Sequence, residues 1–303
     1  MIYTVTFNPA LDYVMNLKEL QSKDINRTES EQLYYGGKGI NVSVILSRLG
    51  VENKALGFLA GFSGKKIEEM LNAENINNDF VYLKKGYTRI NVKIKAEKDY
   101  DINAQGPDID ADEINALFDK LEKLKKGDYL VLAGSIPNSL PNDIYEKILA
   151  KLQNKGVNFA VDATGDLLLN VLKYKPFLIK PNHHELGDIF GVEVKDEAEI
   201  AYYAKKLQEM GARNVLVSRS KDGATLVDEF GEVHSMGNVA GKVINPVGCG
   251  DSMVAGFVAG YTKSNDYHYA LKLGSACGNA TAFCSGLADR GTIDKMLESE
   301  YLK

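Results

Sequence analysis

The residues with the clearest chemical potential stand between Asn245 and Phe257, in the run NPVGCGDSMVAGF. Gly248 and Gly250 precede an acid, Asp251, and a small apolar run from Met253 to Tyr261 has helical character. This spacing predicts a tight turn feeding a helix N-terminus. A helix start offers unpaired backbone N–H groups and the positive end of the macrodipole. Glycines let that backbone come close to an anion. A carboxylate beside an anion repels it unless it has a task there. Taking a proton from a hydroxyl that attacks the bound anion is one such task; capping the helix is the structural alternative. Cys249 lies between the two glycines. The dipole favours its thiolate and Asp251 opposes it, so the thiol is either a small filler or an oxidisable brake.

A second glycine turn, Gly36-Gly37-Lys38-Gly39-Ile40-Asn41, runs into a helix. Val42, Ile45, Leu46 and Leu49 share one helical face, and Gly50 stops it. The turn carries a lysine but lacks the Gly-x-x-x-x-Gly-Lys-Ser/Thr spacing of a Walker loop. Asn182 and Glu185, three apart, face the same way on a first helical turn. They form a capping pair or hold a metal through water. His183 and His184, being adjacent, point apart on most backbones, which argues against a metal pair. Asp12 follows the first strand and its Asn8-Pro9 stop, where α/β sheets place ligands; its plainer role is a turn residue.

These residues need a scaffold, and the periodicities supply one. Strands are predicted over Ile2–Phe7, Asn53–Leu59, Asp128–Ala133, Val157–Asp162, Phe177–Lys180 and Asn214–Ser218. Helices are predicted over Ser63–Glu74, Asp112–Lys125, Asn142–Gln153, Glu197–Met210 and, as the last, Asp266–Ser285. Ser218 to Ala224 forms a hairpin turn with Asp-Gly, and two short strands follow. Alternation of this kind implies a parallel sheet covered by helices on both faces. Two stretches, about 13–35 and 88–103, break the alternation and read as a small β-sheet off the main body. Within the second, Ile90, Val92 and Ile94 alternate with Arg89, Asn91, Lys93 and Lys95, giving one apolar and one wet, basic face. The last helix is rich in small residues, which let something flat approach or simply pack tightly.

The chain has 303 residues, 45% hydrophobic and 25% charged, with a net charge of −5. That composition is ordinary for a globular protein with a full core. No lysine or arginine block reaches five in a row, so neither nucleic acid nor an anionic membrane is expected as partner. Cys249, Cys277 and Cys284 are odd in number and lack a Cys-x-x-Cys spacing, which argues for reduced thiols in a cytoplasmic protein and against disulfides or zinc. No signal peptide is visible at the start, and no apolar run approaches about 18 residues.

The two glycine turns, Gly36-Gly37-Lys38-Gly39-Ile40-Asn41-Val42 and Asn245-Pro246-Val247-Gly248-Cys249-Gly250-Asp251, resemble the two signatures of the ribokinase-like PfkB sugar kinases. Pro181-Asn182-x-x-Glu185 matches a third motif. Asn8-Pro9-Ala10-Leu11-Asp12 and Gly134-Ser135-Ile136-Pro137 resemble the branch acting on ketohexose phosphates. Thr88 to Lys93 and Asn103 to Pro107 look most like the 1-phosphofructokinases, with tagatose-6-phosphate kinases and 6-phosphofructokinases close. The resemblance spans essentially the whole chain. It implies one Rossmann-like domain over residues 1–303, a β lid often shared between two subunits, and ATP-dependent transfer to a sugar-phosphate hydroxymethyl group with Mg2+. Asp251 would be the base, and Gly248, Cys249 and Gly250 the anion hole. Asp12 and Asn41 would orient sugar hydroxyls, and Gly37 and Ser135 would border the substrate. Lys38 and Arg89 would bind its phosphate, helped by Arg27 and Lys93. Lys180, Asn182, Ser218, Ser220, Gly223 and Asn279 would border the nucleotide, with Asn182 and Glu185 organising magnesium and its waters. The family commonly has alanine where Cys249 stands and Leu-Gly where Arg219-Ser220 stands.

Two other classes compete. A non-catalytic sugar-phosphate binder would have no use for Asp251 and both glycine turns. A dinucleotide oxidoreductase needs Gly-x-Gly-x-x-Gly after the first strand, where Asn8-Pro9-Ala10-Leu11 stands.

Overall fold

The structure is a computed structural model that describes residues 1–299. The chain opens with β1 (Ile2–Thr6) and crosses at once into two strands of a separate sheet, β2 (Ala10–Asn16) and β3 (Ser30–Gly36). It returns through α1 (Lys38–Arg48), β4 (Asn53–Leu59), α2 (Gly61–Ala73) and β5 (Val81–Tyr82). A second excursion gives β6 (Arg89–Lys95) and β7 (Asp99–Ile102). Then α3 (Ala111–Leu121), β8 (Tyr129–Ala133), α4 (Ile144–Leu152), β9 (Asn158–Asp162), α5 (Gly165–Val171) and β10 (Leu178–Ile179) alternate. They are followed by α6 (His183–Phe190), α7 (Glu197–Glu209), β11 (Asn214–Ser218), β12 (Ala224–Val227) and β13 (Val233–Met236). Three helices close the described chain: α8 (Cys249–Ser264), α9 (Tyr267–Ala282) and α10 (Arg290–Leu297).

The main sheet has nine strands in the order β13-β12-β11-β10-β9-β8-β1-β4-β5. From β11 to β5 all neighbours are parallel, and β12 and β13 add an antiparallel edge. Successive strand residues feed opposite faces: Leu130 and Leu132 join the core under α3, α4 and α7, while Val131 and Ala133 join the core under α1, α8 and α9. Both faces are therefore covered, as a parallel sheet requires. The second sheet has four strands, β3-β2-β6-β7. No helix among the described residues is long and apolar enough to cross a membrane.

Several expectations change. The strand at Ala10 starts the small sheet, so Asp12 lies within β2 rather than in a turn at the end of β1. The face of β6 read as wet is partly covered, because Asn91 is buried and Lys93 pairs with Asp12 at 3.2 Å. The short helices α5 and α10 had not been anticipated, and α10 makes Asp266–Ser285 the last helix but one. The small residues of α9 pack tightly on one side and border a cavity on the other. Gly274 lets α8 come close, since a Cβ there would sit 2.9 Å from the Met253 carbonyl oxygen, while Ser275, Gly278 and Asn279 border a cavity.

Gly57 shows how tightly the central strands are drawn together. It pairs with Thr6 at φ +143°, and a Cβ there would fall 2.1 Å from the Thr6 carbonyl oxygen. Gly57→Ala is expected to cost roughly 3 kcal/mol or more, through strain and lost β1–β4 pairing. Denaturant melts of the purified variant measure it.

Candidate active site

The C-terminal ends of β1, β8, β9, β10 and β11 share one edge of the main sheet, and the candidate residues collect there. Helix α8 points its N-terminus at this edge. Gly248 caps it in the left-handed region at φ +82°. The first intrahelical bond is donated by Ser252 to the Gly248 carbonyl at 2.8 Å, so the N–H groups of Cys249, Gly250 and Asp251 precede it. Gly250 is needed for a different reason: a Cβ there would lie 3.1 Å from the Lys180 ammonium nitrogen. Asp251 is buried, and its Oδ2 accepts a 2.8 Å hydrogen bond from Asn41 Nδ2. That bond crosses from α1 to α8 and ties the two glycine-turn helices together.

Beside Asp251 lies a second buried acid, Asp162, at the end of β9. Its Oδ2 meets Lys38 Nζ at 2.9 Å and its Oδ1 meets Lys180 Nζ at 3.4 Å. Burial alone would raise the Asp162 pKa; the ammonium groups of Lys180 and Lys38 outweigh it and hold the carboxyl below the usual range. Burial lowers the Lys38 pKa, but the carboxylates of Asp162, Asp251 and Glu185 overcome this and raise it. Asp251 behaves in the opposite way to Asp162. Burial and the Asp162 charge push it up to about 6, against the pull of Lys38, Asn41 and Lys180. The cluster thus contains one firm anion and one carboxylate poised near neutrality.

Two cavities meet at Lys38, which lines both. The larger, about 950 Å3, is bordered by Lys180, Asn182, Ser218, Ser220, Gly223 and Asn279, all six residues expected around a nucleotide. Cys249, Gly250 and Glu185 also face it. The smaller, about 580 Å3, is bordered by Gly37, Lys38, Arg89 and Ser135, with Thr6 and Asp162. Arg89 Nε is buried without a partner, and burial lowers the guanidinium pKa, partly offset by Asp12. Asp12, Asn41 and Lys93 line neither cavity. Asp12 is held by Asn91 at 2.8 Å and Lys93 at 3.2 Å, with its Oδ2 against Gly36. Arg27 stands exposed on the β2–β3 loop, away from both cavities.

The model of the pfkB family carbohydrate kinases matches residues 5–293. The chain belongs to that family. It is 44% identical to a 1-phosphofructokinase of Bacillus subtilis, over 98% of this chain and 97% of the other. It is 37% identical to a D-tagatose-1-phosphate kinase of Bacillus licheniformis, over 97% of both. Phosphofructokinase-2 from Escherichia coli, solved in complex with substrates and products, superimposes with a TM-score of 0.92 at 25% identity, covering 98% of each chain. The fold is ribokinase-like, and the protein is a phosphotransferase acting on an alcohol group.

In this PfkB kinase the third motif forms a reciprocal cap. Asn182 Oδ1 accepts from the Glu185 N–H at 2.8 Å, and Glu185 Oε2 accepts from the Asn182 N–H at 2.7 Å. No cluster of three or more metal-type side chains occurs among the described residues. One half-buried carboxylate, Glu185, at the border of the larger cavity suits a magnesium ion that keeps most of its waters, whereas a dedicated protein cage would need more donors. The His183 and His184 rings lie together, with centroids 3.9 Å apart, rather than pointing apart. Burial and Asp251 push the Cys249 thiol up to about 11.

Asp162 is the site residue that sequence reading missed. Its only local signal is an acid closing a β-strand. Asp162→Asn removes the shared partner of two lysines, one of them buried, and is expected to cost roughly 3 kcal/mol of stability. It should also lower the Lys38 pKa. Thermal melts and the pH dependence of Lys38 acylation, located by mass spectrometry, check both effects.

Proposed function

We propose that this chain is an ATP-dependent 1-phosphofructokinase, carrying the γ-phosphoryl group to the C6 hydroxyl of fructose 1-phosphate to give fructose 1,6-bisphosphate. The observation that carries this reading is the buried Asp251 at the start of α8, beside the lysine common to the two cavities. Near-complete coverage of a 1-phosphofructokinase supports the choice of sugar.

In this reading Asp251, aimed by Asn41, removes the proton of the attacking hydroxyl. The N–H groups of Gly248, Cys249 and Gly250 form the anion hole, joined by that of Asp251, since all four precede the first helical bond. They meet charge growing on the transferred group. Lys38, fixed by Asp162 at the junction, faces that same group together with Lys180. The substrate's own phosphate then falls to Arg89, whose guanidinium borders the smaller cavity. Lys93 serves as the counter-ion of Asp12, which orients sugar hydroxyls behind Gly36 and Gly37. Asn182 and Glu185 would hold Mg2+ through its waters, and the ion would neutralise nucleotide phosphate charge. The four-stranded sheet acts as a lid, and its exposed Leu33, Tyr100 and Ile102 offer a surface on which two copies pair. Three free thiols fit a cytoplasmic enzyme.

A second reading, a D-tagatose-1-phosphate kinase, is favoured by the 37% relative of that name. Tagatose differs from fructose in configuration at C4, so a contact to one hydroxyl separates the two. Among fructose 1-phosphate, fructose 6-phosphate, tagatose 1-phosphate and tagatose 6-phosphate, the first is expected to give the highest kcat/KM. A tenfold preference for another sugar overturns the assignment but leaves the reaction class.

Arg89→Ala is expected to weaken the phosphorylated substrate by about 2 kcal/mol, as charged hydrogen bonds are lost. Unphosphorylated fructose should be little affected; equal losses would remove Arg89 from the phosphate site.

The raised Asp251 pKa has two consequences of opposite sign. As a base the carboxylate must be ionised, so kcat/KM should fall one decade per pH unit below about pH 6. Asp251→Asn should lower kcat by about 10²–10⁴ and abolish that limb. For stability, a folded pKa above the unfolded value favours the protonated folded form; that contribution is lost as pH rises through about 6. The amide variant should therefore melt no lower than wild type at pH 7.5. Near-normal turnover would exclude Asp251 as the base, and a lower melting temperature would overturn the raised pKa.

A further inference from the structure

The turn that leaves β11, from Ser218 to Gly223, borders the larger cavity along its whole length. Its own backbone closes it. The Arg219 N–H donates to the Gly223 carbonyl at 2.7 Å, the Asp222 N–H to the Arg219 carbonyl at 3.0 Å, and the Gly223 N–H to the Ser220 carbonyl at 3.3 Å. Asn238 Nδ2 adds a 3.3 Å bond to the Ser220 carbonyl. The far end is pressed on β13, since a Cβ at Gly223 would fall 2.0 Å from the Met236 carbonyl oxygen.

Within this turn Ser220 is strained. It sits at φ +54°, in the left-handed region where a Cβ crowds the backbone. Asn75, Lys175 and Asn265 share that region, and none of them borders this cavity. Asparagine can ease the strain by bonding locally, but the Ser220 hydroxyl makes no hydrogen bond among the described residues. The neighbouring side chain supplies a restraint instead. Arg219 Nη1 donates to Glu197 Oε2, at the start of α7, at 3.3 Å. Arg219 Nε is buried without a partner, so Glu197 alone holds the guanidinium among the described residues. Glu197 Oε1 in turn accepts from the Ser235 hydroxyl on β13. The ion pair thus ties the turn to α7 and β13. These are the two positions at which the chain departs from Leu-Gly: a glycine needs no such tether, and a leucine cannot supply one.

We infer that Arg219 and Ser220 act as a coupled pair: the Arg219–Glu197 ion pair holds the turn closed against the strain at Ser220, which makes Arg219 a positioning residue for the nucleotide. With side chains 15% and 47% exposed, the ion pair is weak by itself. Its loss therefore opens the turn locally and leaves the rest of the fold in place. The inference rests on the proposed function only in taking the larger cavity for the nucleotide.

Amide hydrogen exchange tests the tether with no ligand present. Arg219→Leu should speed exchange at positions 219, 222 and 223 about tenfold. In a Ser220→Gly background the same substitution should change it by less than about threefold, because the strain it opposed is gone. Glu197→Ala cuts the tether from its other end; it should match Arg219→Leu and add nothing to it in the double variant. Calorimetry follows the consequence for the cavity. Arg219→Leu should weaken ADP about fivefold, and less than about twofold in the Ser220→Gly background. In steady-state assays the loss should appear in KM for ATP, with kcat within about twofold. Unchanged exchange in Arg219→Leu, or an equal change in both backgrounds, overturns the inference. So does an ADP loss of equal size in both backgrounds, which would mean that the guanidinium meets the nucleotide itself. A wild-type protein that binds no ADP would count against the nucleotide reading of the cavity, and the exchange cycle would then decide the coupling by itself.

Discussion

Four charges confined to one junction govern the rest of the structure. Asp162, Asp251, Lys38 and Lys180 balance as two carboxylates and two ammonium groups where the ends of β9 and β10 meet the starts of α1 and α8. Removing a charge from water is costly unless an opposite charge stands within a few ångströms. Asp162 takes both lysines within 3.4 Å, while Asp251 has a neutral amide as its direct partner. This unequal sharing separates the two acids: one carboxyl is driven low and the other up to about 6. A firm anion that holds cations and a carboxylate that can exchange a proton are different tools, made from the same side chain by where the lysines sit.

The backbone had to make room for this arrangement. The main sheet delivers Thr6, Asp162 and Lys180 to a common edge, and two helices begin there after glycine turns. Gly37, at φ +126°, precedes α1, and Gly248, at φ +82°, precedes α8. Lys180 is nearly enclosed, and a Cβ at Gly250 would lie 3.1 Å from its ammonium nitrogen, so the lysine would have to give by a few tenths of an ångström. Lysine packing therefore bears on Gly250, while Gly248 is fixed by its left-handed backbone. The small sheet follows the same logic. Asp12 gains its two partners, Asn91 and Lys93, only because β2 and β6 run parallel, with Asp12 opposite Asn91.

How far the sequence could be read depended on how local each signal was. Asp251 and both glycine turns were visible because a helix start writes its signature within a few residues. The parallel sheet was visible because strands and helices alternate at their own periods. Asp162 was not visible, because its role comes from lysines on other segments, and an acid ending a strand has many ordinary explanations. Asp12 was placed wrongly because Asn8-Pro9 marks a chain reversal, while pairing with β3 and β6 decides that Ala10–Asn16 is a strand. The helix α5 is only seven residues long and held few periodic positions. For α10 a signal did exist: Asp289 accepts from the Thr292 N–H, an N-cap three residues ahead. His183 and His184 misled because consecutive residues on a helix usually diverge, yet these side chains fold back on each other at the first turn.

The departure at Cys249 is accommodated by the same charge balance. A thiolate there would add a third anion beside Asp251, with Lys38 and Lys180 already committed to Asp162. Burial and the neighbouring carboxylate both disfavour it, and the opposing hydrogen bond from its own backbone N–H is the weaker influence. The helix dipole that favours thiolates at N-termini is thus spent on whatever anion occupies the cavity. Cysteine stands where the family commonly has alanine, with its Sγ 3.7 Å from the Asn245 carbonyl oxygen. A thiol at a helix N-terminus is thus pushed toward its neutral form when a buried carboxylate already stands beside it.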